Sequence, residues 1–210
     1  MGLRRWAVED EVVKELCGRW VGLPAAEARF VRWHLVNELP CVLLLTGTCG
    51  SGKSTISALL AERGWTRISE DDIWPRLFGK ERGLFGSAGH RAKRQAVHEV
   101  VFAGVRGALA QGQRVVIDAT IHEAPPEAFE EYRAFLEGTG TRWEVRVLHP
   151  ALGVAVARDA GRLSGSLGAE RVARLHAKFT GRVFEPQWFL DTSAHTPEQT
   201  VAALLRGSAT

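Results

Sequence analysis

The chain has 210 residues, of which 45% are hydrophobic and 24% are charged. This length and composition fit one globular α/β domain and give no sign of a collagen-like, disordered or membrane-embedded protein. The net charge of +3 suits an acidic partner, but the excess is small for a dedicated nucleic-acid binder.

The cysteines and the N-terminus predict a cytoplasmic protein. Cys17, Cys41 and Cys49 lack metal-site spacing and are expected to be reduced thiols. The first five residues lead into acidic positions rather than an apolar core. We therefore expect neither a secretion signal nor a membrane span.

Two amphipathic helices are predicted before residue 41. Residues 6–20 and 25–39 place apolar side chains at helical spacing, and Gly22-Leu23-Pro24 separates them. We expect residues 1–40 to form a helical extension that packs on the remaining chain. Covering a sheet edge, forming a dimer interface and shaping a binding site are the roles left open for it.

Strands then alternate with helices through a predicted domain of residues 41–210. Cys41-Val42-Leu43-Leu44-Leu45 is a fully apolar run, typical of a buried parallel strand. Further strands are predicted at 65–68, 115–117, 143–148 and 188–190. Helices are predicted at 53–62, 90–111, 126–138, 151–162, 168–179 and 197–205, the last opening with a capping box at Thr196. This alternation predicts a parallel sheet with helices on both faces.

A glycine-rich loop joins the first strand to the first helix of this domain. Its residues are Gly47, Thr48, Cys49, Gly50, Ser51, Gly52, Lys53 and Ser54. They match G-x-x-x-x-G-K-[ST], whose backbone N–H groups and helix N-terminus cradle phosphates. Lys53 is predicted to contact the β- and γ-phosphates, Ser54 to ligate Mg²⁺, and Thr55 to complete the nucleotide site. The loop therefore predicts ATP and Mg²⁺ as cofactors.

An acidic cluster follows the second strand. Ser69-Glu70-Asp71-Asp72 should lie near the carboxyl edge of the sheet, where open α/β folds bind ligands. Asp71 is the candidate general base, because a hydroxyl that attacks a phosphate must lose its proton. A second interpretation stays open, in which Ser69 caps a helix that has Asp72 in its first turn.

Two further groups have the character of a phosphoryl-transfer site. Asp118 ends the third strand, where it is a candidate ligand of Mg²⁺ or of a water bound to Mg²⁺. The alternative is that it is a turn residue at the end of the strand. Arg158 and Arg162 lie four apart on one helix face, ahead of a flexible-looking tract. They predict a lid over about 151–180 that brings arginines to the transferring phosphoryl group. Pairing of Arg162 with Asp159 on a solvated helix is the alternative.

Together these motifs resemble the polynucleotide kinase-like branch of P-loop kinases, over residues 41 to about 193. The resemblance implies a P-loop NTPase fold, a three-layer α/β/α sandwich with a mostly parallel five-stranded sheet. It also implies transfer of the γ-phosphate of ATP to a hydroxyl. The residues to which it assigns the phosphate, metal, base and lid roles are Lys53, Ser54, Asp71, Arg158 and Arg162.

The acceptor is less well specified. In this branch a polynucleotide 5′-kinase carries an arginine three residues after its base, and that position here is Trp74. We therefore predict a small-molecule or nucleoside-like acceptor, with a polynucleotide 5′-hydroxyl end as the alternative. Trp74, Phe78 and Phe85 are interpreted either as an aromatic acceptor pocket or as core. A nucleotide-dependent ATPase or switch, and a protein that binds ATP only for structure, remain as competing hypotheses; oligomeric state is not predicted.

Overall fold

The computed structural model describes residues 41–79, 87–121, 126–162, 165–179 and 183–206. The predicted N-terminal extension, Phe85 of the aromatic cluster and part of the predicted lid lie outside these residues.

Parallel strands alternate with helices along the described chain. The strands are β1 (Val42–Gly47), β2 (Thr66–Ser69), β3 (Val115–Asp118), β4 (Trp143–Leu148) and β5 (Phe189–Leu190). The helices are α1 (Lys53–Glu62), α2 (Glu70–Phe78), α3 (Ala88–Ala110), α4 (Glu127–Gly138), α5 (Leu152–Ala160), α6 (Ala169–His176) and α7 (Pro197–Leu205). A 3-10 turn at Pro186–Trp188 shortens the predicted last strand.

The sheet has the order β2-β3-β1-β4-β5, and every pairing is parallel. This confirms the predicted α/β/α architecture. Because β1 lies in the middle, the loop that follows it is at the centre of the carboxyl edge. Leu45 pairs with Asp118 across β1 and β3, so Asp118 lies two residues below the start of that loop.

The central strand is buried on both faces. Val42 and Leu44 join the cluster that contains residues of α3 and α4, whereas Leu43 and Leu45 join the cluster with α1 and α7. All four side chains are at most 3% exposed. Burial of each contributes about 1.5–3 kcal/mol, which explains why the strand is apolar throughout rather than alternating.

Helix α2 is the main element that the helical periodicity did not predict. It begins at Glu70, directly after β2, and contains Pro75. Ser69 occupies the N-cap position, but its side chain makes no capping hydrogen bond and its buried Oγ has no partner within the described residues. The helix interpretation of the acidic cluster is therefore confirmed, and the capping role given to Ser69 is wrong.

Of the described helices, none combines the length and the apolarity needed to cross a bilayer.

Candidate active site

The glycine-rich loop is built by close backbone approaches. Gly47 and Gly50 have φ angles of 143° and 75°. A Cβ at Gly47 would lie 2.3 Å from the carbonyl oxygen of Leu148, and one at Gly50 would lie 2.1 Å from that of Ala155. The loop therefore packs against β4 and α5 at distances that only glycine permits.

We expect Gly50→Ala to destabilise the protein. The new methyl group would displace α5 or the loop, at a cost of about 1–3 kcal/mol in free energy of unfolding. Gly107→Ala on α3 is the matched control, because nothing lies within 4 Å of a Cβ there. The control should unfold at the same or a higher denaturant concentration than the wild type, and equal unfolding midpoints for the two variants would contradict this account of the loop.

Lys53 is enclosed by the loop it follows. Its Nζ donates to the carbonyl oxygens of Gly47, at 2.7 Å, and Thr48, at 3.1 Å, and the residue is only 8% exposed. Burial lowers the pKa of Lys53, whereas the nearby charges of Asp118, Cys49 and Asp71 oppose that shift. The predicted base and the predicted metal residue thus lie within electrostatic reach of the phosphate lysine.

Two loop hydroxyls have no partner among the described residues. Thr48 Oγ1 and Ser51 Oγ are buried and make no hydrogen bond within the described part of the chain. Buried polar groups in folded proteins are nearly always paired. Two such hydroxyls in a glycine-rich loop fit a binding site for a polar, anionic ligand.

A cleft of about 320 Å³ opens beside the loop. The residues that line it are Gly50, Ser51, Gly52, Thr55, Ile56, Arg158, Arg162, Thr192, His195, Pro197 and Thr200. Its volume falls in the range of small-ligand sites, roughly 300–1,000 Å³. Both predicted lid arginines therefore meet the predicted phosphate loop in one cleft, while Asp71 and Asp118 do not line it.

The two arginines have different surroundings. Arg158 donates through Nη2 to the Thr192 carbonyl at 2.8 Å and through Nη1 to Thr192 Oγ1 at 3.3 Å, which ties it to the segment between β5 and α7. Arg162 is 43% exposed and lies 3.8 Å from Asp159 Oδ1. Arg158 therefore forms part of the cleft wall, and Arg162 is the more exposed cation.

Asp159 has a structural role that the sequence did not indicate. It is 1% exposed, and its Oδ2 accepts from Ser166 Oγ, Leu167 N and Gly168 N at 2.8–3.2 Å. These bonds fix the start of α6 against the end of α5. Although burial alone would raise the pKa of Asp159, the hydrogen bonds from Leu167, Ser166 and Gly168 lower it below the usual value. The pairing with Arg162 is present, but Asp159 is buried rather than solvated.

Asp159→Asn keeps the shape of the side chain and removes its charge. We expect a loss of about 1 kcal/mol in free energy of unfolding at neutral pH, because charge-assisted hydrogen bonds are weakened. A carboxyl whose pKa is lowered by folding stabilises the protein above its unfolded value and loses that contribution as the pH falls. The difference in free energy of unfolding between wild type and variant should therefore narrow as the pH falls below 3.8, the ordinary pKa of the carboxyl. A difference that stays constant from pH 7 to pH 3 would contradict this prediction. Glu130→Gln on the surface of α4 is the control.

The candidate base lies between two anchored carboxylates in the first turn of α2. Glu70 accepts a hydrogen bond from Tyr132 Oη at 2.7 Å, and His98 Nε2 lies 3.3 Å from the same oxygen. Asp72 accepts from Arg67 Nη1 at 2.6 Å. Asp71 itself is exposed. The turn therefore orients Asp71 while both its neighbours bind other elements.

Asp118 also contacts Arg67, a residue that the sequence analysis missed. Asp118 Oδ2 accepts from Ser57 Oγ at 2.9 Å and from Arg67 Nη2 at 3.1 Å. Burial is the largest single influence on the pKa of Arg67 and lowers it. The hydrogen bonds and charges of Asp72 and Asp118 together outweigh burial, so the pKa is raised above its usual value. The only sequence signal was an arginine between the β-branched residues Thr66 and Ile68 of the predicted second strand.

A family profile described as an AAA domain matches residues 42–183, more than half of the chain. The chain belongs to this AAA domain family. No curated protein gives a significant match.

The solved structures that are similar to this AAA domain protein include two kinases and a resistance protein. Gluconokinase from Sinorhizobium meliloti 1021 is 18% identical with a TM-score of 0.58, covering 81% of this chain and 92% of its own. Tunicamycin resistance protein from Deinococcus radiodurans is 16% identical with a TM-score of 0.59, and the match covers 80% of this chain and 94% of the resistance protein. Shikimate kinase from Acinetobacter baumannii, solved with shikimate, is 21% identical with a TM-score of 0.52, covering 82% and 94%. These similarities confirm the P-loop kinase fold.

Trp74 distinguishes this AAA domain protein from the polynucleotide kinase pattern. Its side chain is 7% exposed and belongs to the core cluster, with ring centroids 5.6 Å from those of both His90 and Phe78. The core interpretation of Trp74 is therefore confirmed. A buried indole cannot supply the cation that an arginine would offer to an acceptor phosphate.

Proposed function

We propose that the protein is an ATP-dependent kinase that transfers the γ-phosphate to a hydroxyl of a small or nucleoside-like molecule. The observation that carries the proposal is the glycine loop, which encloses Lys53 within electrostatic reach of Asp118 and Asp71 and also lines the cleft that contains Arg158 and Arg162.

The donor binds through the loop and the cleft. Backbone N–H groups of residues 47–54 and the N-terminus of α1 contact the phosphates, and Thr48 and Ser51 offer their hydroxyls to them. The nucleoside occupies the cleft, with Arg158 in its wall. Arg162, the more exposed arginine, contacts the donor phosphates, where a guanidinium offsets negative charge.

The transfer itself needs little covalent chemistry from the protein. The acceptor oxygen forms a bond to the γ-phosphorus as the bond to the ADP oxygen breaks, and the acceptor proton passes to Asp71. Lys53 stabilises the charge that develops on the phosphoryl oxygens. The exposed position of Asp71, held between anchored neighbours, suits a base that meets an incoming hydroxyl.

The residues at the site fit Mg²⁺. Ser54 is exposed in the first turn of α1, and Ser57 Oγ links it to Asp118, because that hydroxyl lies 3.1 Å from the Ser54 carbonyl oxygen and 2.9 Å from Asp118 Oδ2. Mg²⁺ takes few protein ligands when nucleotide phosphates and waters complete its octahedron, so one hydroxyl and one carboxylate are sufficient. When bound, the ion would neutralise charge on the β- and γ-phosphates.

A small-molecule acceptor is favoured by two observations. The neighbours named gluconokinase and shikimate kinase share the fold, and Trp74 is buried where a 5′-kinase would place its arginine. The polynucleotide 5′-end and the ATPase or switch remain alternatives that the experiment below separates.

The test is a transfer assay. The protein is incubated with Mg²⁺ and ATP carrying ¹⁸O in its γ-phosphate, together with nucleosides, sugars, sugar acids, antibiotics and 5′-hydroxyl oligonucleotides. Labelled phosphate is then followed by mass spectrometry. Label on one small-molecule acceptor supports the proposal, and label on oligonucleotides alone shifts it to the alternative acceptor. Label that appears only as free phosphate indicates an ATPase or switch. Binding of Mg-ATP without any turnover indicates that the nucleotide has a structural role.

A further inference from the structure

We propose that Arg67 is a positioning residue for phosphoryl transfer, which fixes the helix that carries Asp71 against the helix that carries Ser54. The inference rests on the proposed kinase function and adds to it a residue that contacts neither donor nor acceptor.

Arg67 binds three different elements through its guanidinium group. Nε donates to Ser57 Oγ on α1 at 2.8 Å, and Nη1 donates to Asp72 Oδ2 on α2 at 2.6 Å. Nη2 donates to Asp118 Oδ2 at the end of β3, at 3.1 Å. Each nitrogen thus contacts a separate part of the site.

The backbone that carries this group is paired in the sheet. Arg67 lies on the edge strand β2 in register with Val116 of β3, and its side chain is 24% exposed. Ser57 completes the network, because its hydroxyl lies 2.9 Å from Asp118 Oδ2 and 3.1 Å from the Ser54 carbonyl oxygen. The guanidinium is a planar fork with fixed donor directions, so these three bonds define one relative placement of α1, α2 and β3.

The network adjoins the proposed base and the proposed metal ligand. Asp72 follows Asp71 in the chain, so fixing Asp72 limits the positions that Asp71 can adopt. Ser57 is one helical turn after Ser54 and contacts its carbonyl. Misplacement of a catalytic group by 1 Å can lower the rate by about 10²-fold. The proposed phosphate contacts of the glycine loop do not involve α2, so a shift of α2 should change the rate more than the affinity for Mg-ATP.

A simpler role for Arg67 would be to neutralise buried Asp118. Lysine can serve that purpose as a point charge, but its donors share one nitrogen and lack the fixed fork whose three nitrogens contact Ser57, Asp72 and Asp118. Arg67→Lys therefore separates the two roles. Asp72→Ala removes only the contact with α2, and because Asp72 is 51% exposed its loss leaves the core unchanged.

The experiment measures single-turnover phosphate release from Mg-ATP, with water as the acceptor, and Mg-ATP affinity by calorimetry. We expect Arg67→Lys to lower the rate by about 10²-fold while the Kd changes by less than about threefold, since the interaction acts on the chemical step. Asp72→Ala should lower the rate in the same direction, and the double variant should be no slower than the slower single variant. Arg133→Lys, which alters a surface pair with Glu130, is the control and should match wild type.

Three results would overturn the inference: an unchanged rate in a folded Arg67→Lys protein, strictly additive effects of the two substitutions, or a loss of affinity as large as the loss of rate. If Arg67→Lys does not fold, Asp72→Ala decides alone, and wild-type turnover in that variant overturns the proposal. A wild-type protein that binds Mg-ATP but transfers its γ-phosphate neither to water nor to any acceptor in the transfer assay would overturn the kinase proposal together with this one. An active wild type with insensitive variants would overturn the positioning role only.

Discussion

Lys53→Met is expected to abolish phosphoryl transfer while leaving the protein folded. The lysine is buried, and its contacts in the described residues are the carbonyl oxygens of Gly47 and Thr48. Methionine retains most of the side-chain volume and removes a charge that burial disfavours, so the free energy of unfolding should stay constant or rise. Loss of one preorganised donor at a developing anion costs about 10²–10³ in kcat, and the loss of a full charge should reach at least that.

The measurement is single-turnover transfer from Mg-ATP, with affinity followed by calorimetry. Lys93→Met on α3 makes the same chemical change away from the loop and should retain wild-type affinity. Mg-ATP affinity and turnover that survive in a folded Lys53→Met protein would remove the basis for the kinase proposal.

Asp71→Asn is expected to lower kcat by about 10²–10⁴ with little change in the affinity for Mg-ATP, because a general base acts only when the proton leaves the acceptor. Asparagine keeps the size and the exposure of the side chain and cannot take up the proton. The anchoring of Glu70 and Asp72 should persist, so the first turn of α2 should keep its place.

Glu99→Gln on the exposed face of α3 is the matched control for charge. The comparison is made on wild type and both variants with one acceptor at saturating Mg-ATP. A drop in affinity equal to the drop in kcat would indicate that Asp71 supports the nucleotide site instead of the acceptor, and an unchanged kcat would exclude it as the base.

The sequence predicted most elements because their signals are local. The apolar run of β1 is buried on both faces, and the capping box at the start of α7 is present, with Thr196 and Gln199 exchanging hydrogen bonds at 2.9 and 3.2 Å. Helix α2 was raised only as an alternative, since it is short, follows β2 without a loop and contains Pro75. Its stability comes from Ile73 and Trp74 packing in the core, which local propensity does not report.

The candidate site was predicted residue by residue but not in its connections. Lys53, Ser54, Asp71, Asp118, Arg158 and Arg162 were all singled out from motifs, and their functional roles stay predictions. What the sequence did not show is that Asp159 fixes the start of α6 and that Arg158 is bound to the segment before α7. Both contacts join residues from separate helices and loops, so no spacing in the chain encodes them.

The sequence by itself determined the phosphate loop, the alternation of strands and helices and the position of the acidic cluster, because each depends on neighbours within a few residues. Only the tertiary structure decided that Trp74 is core and that Arg67 joins Ser57, Asp72 and Asp118. The physical reason is that strand order brings β2, β3 and α1 together from positions that are 10 to 61 residues apart. A guanidinium can bridge such elements only after the sheet has set their distance.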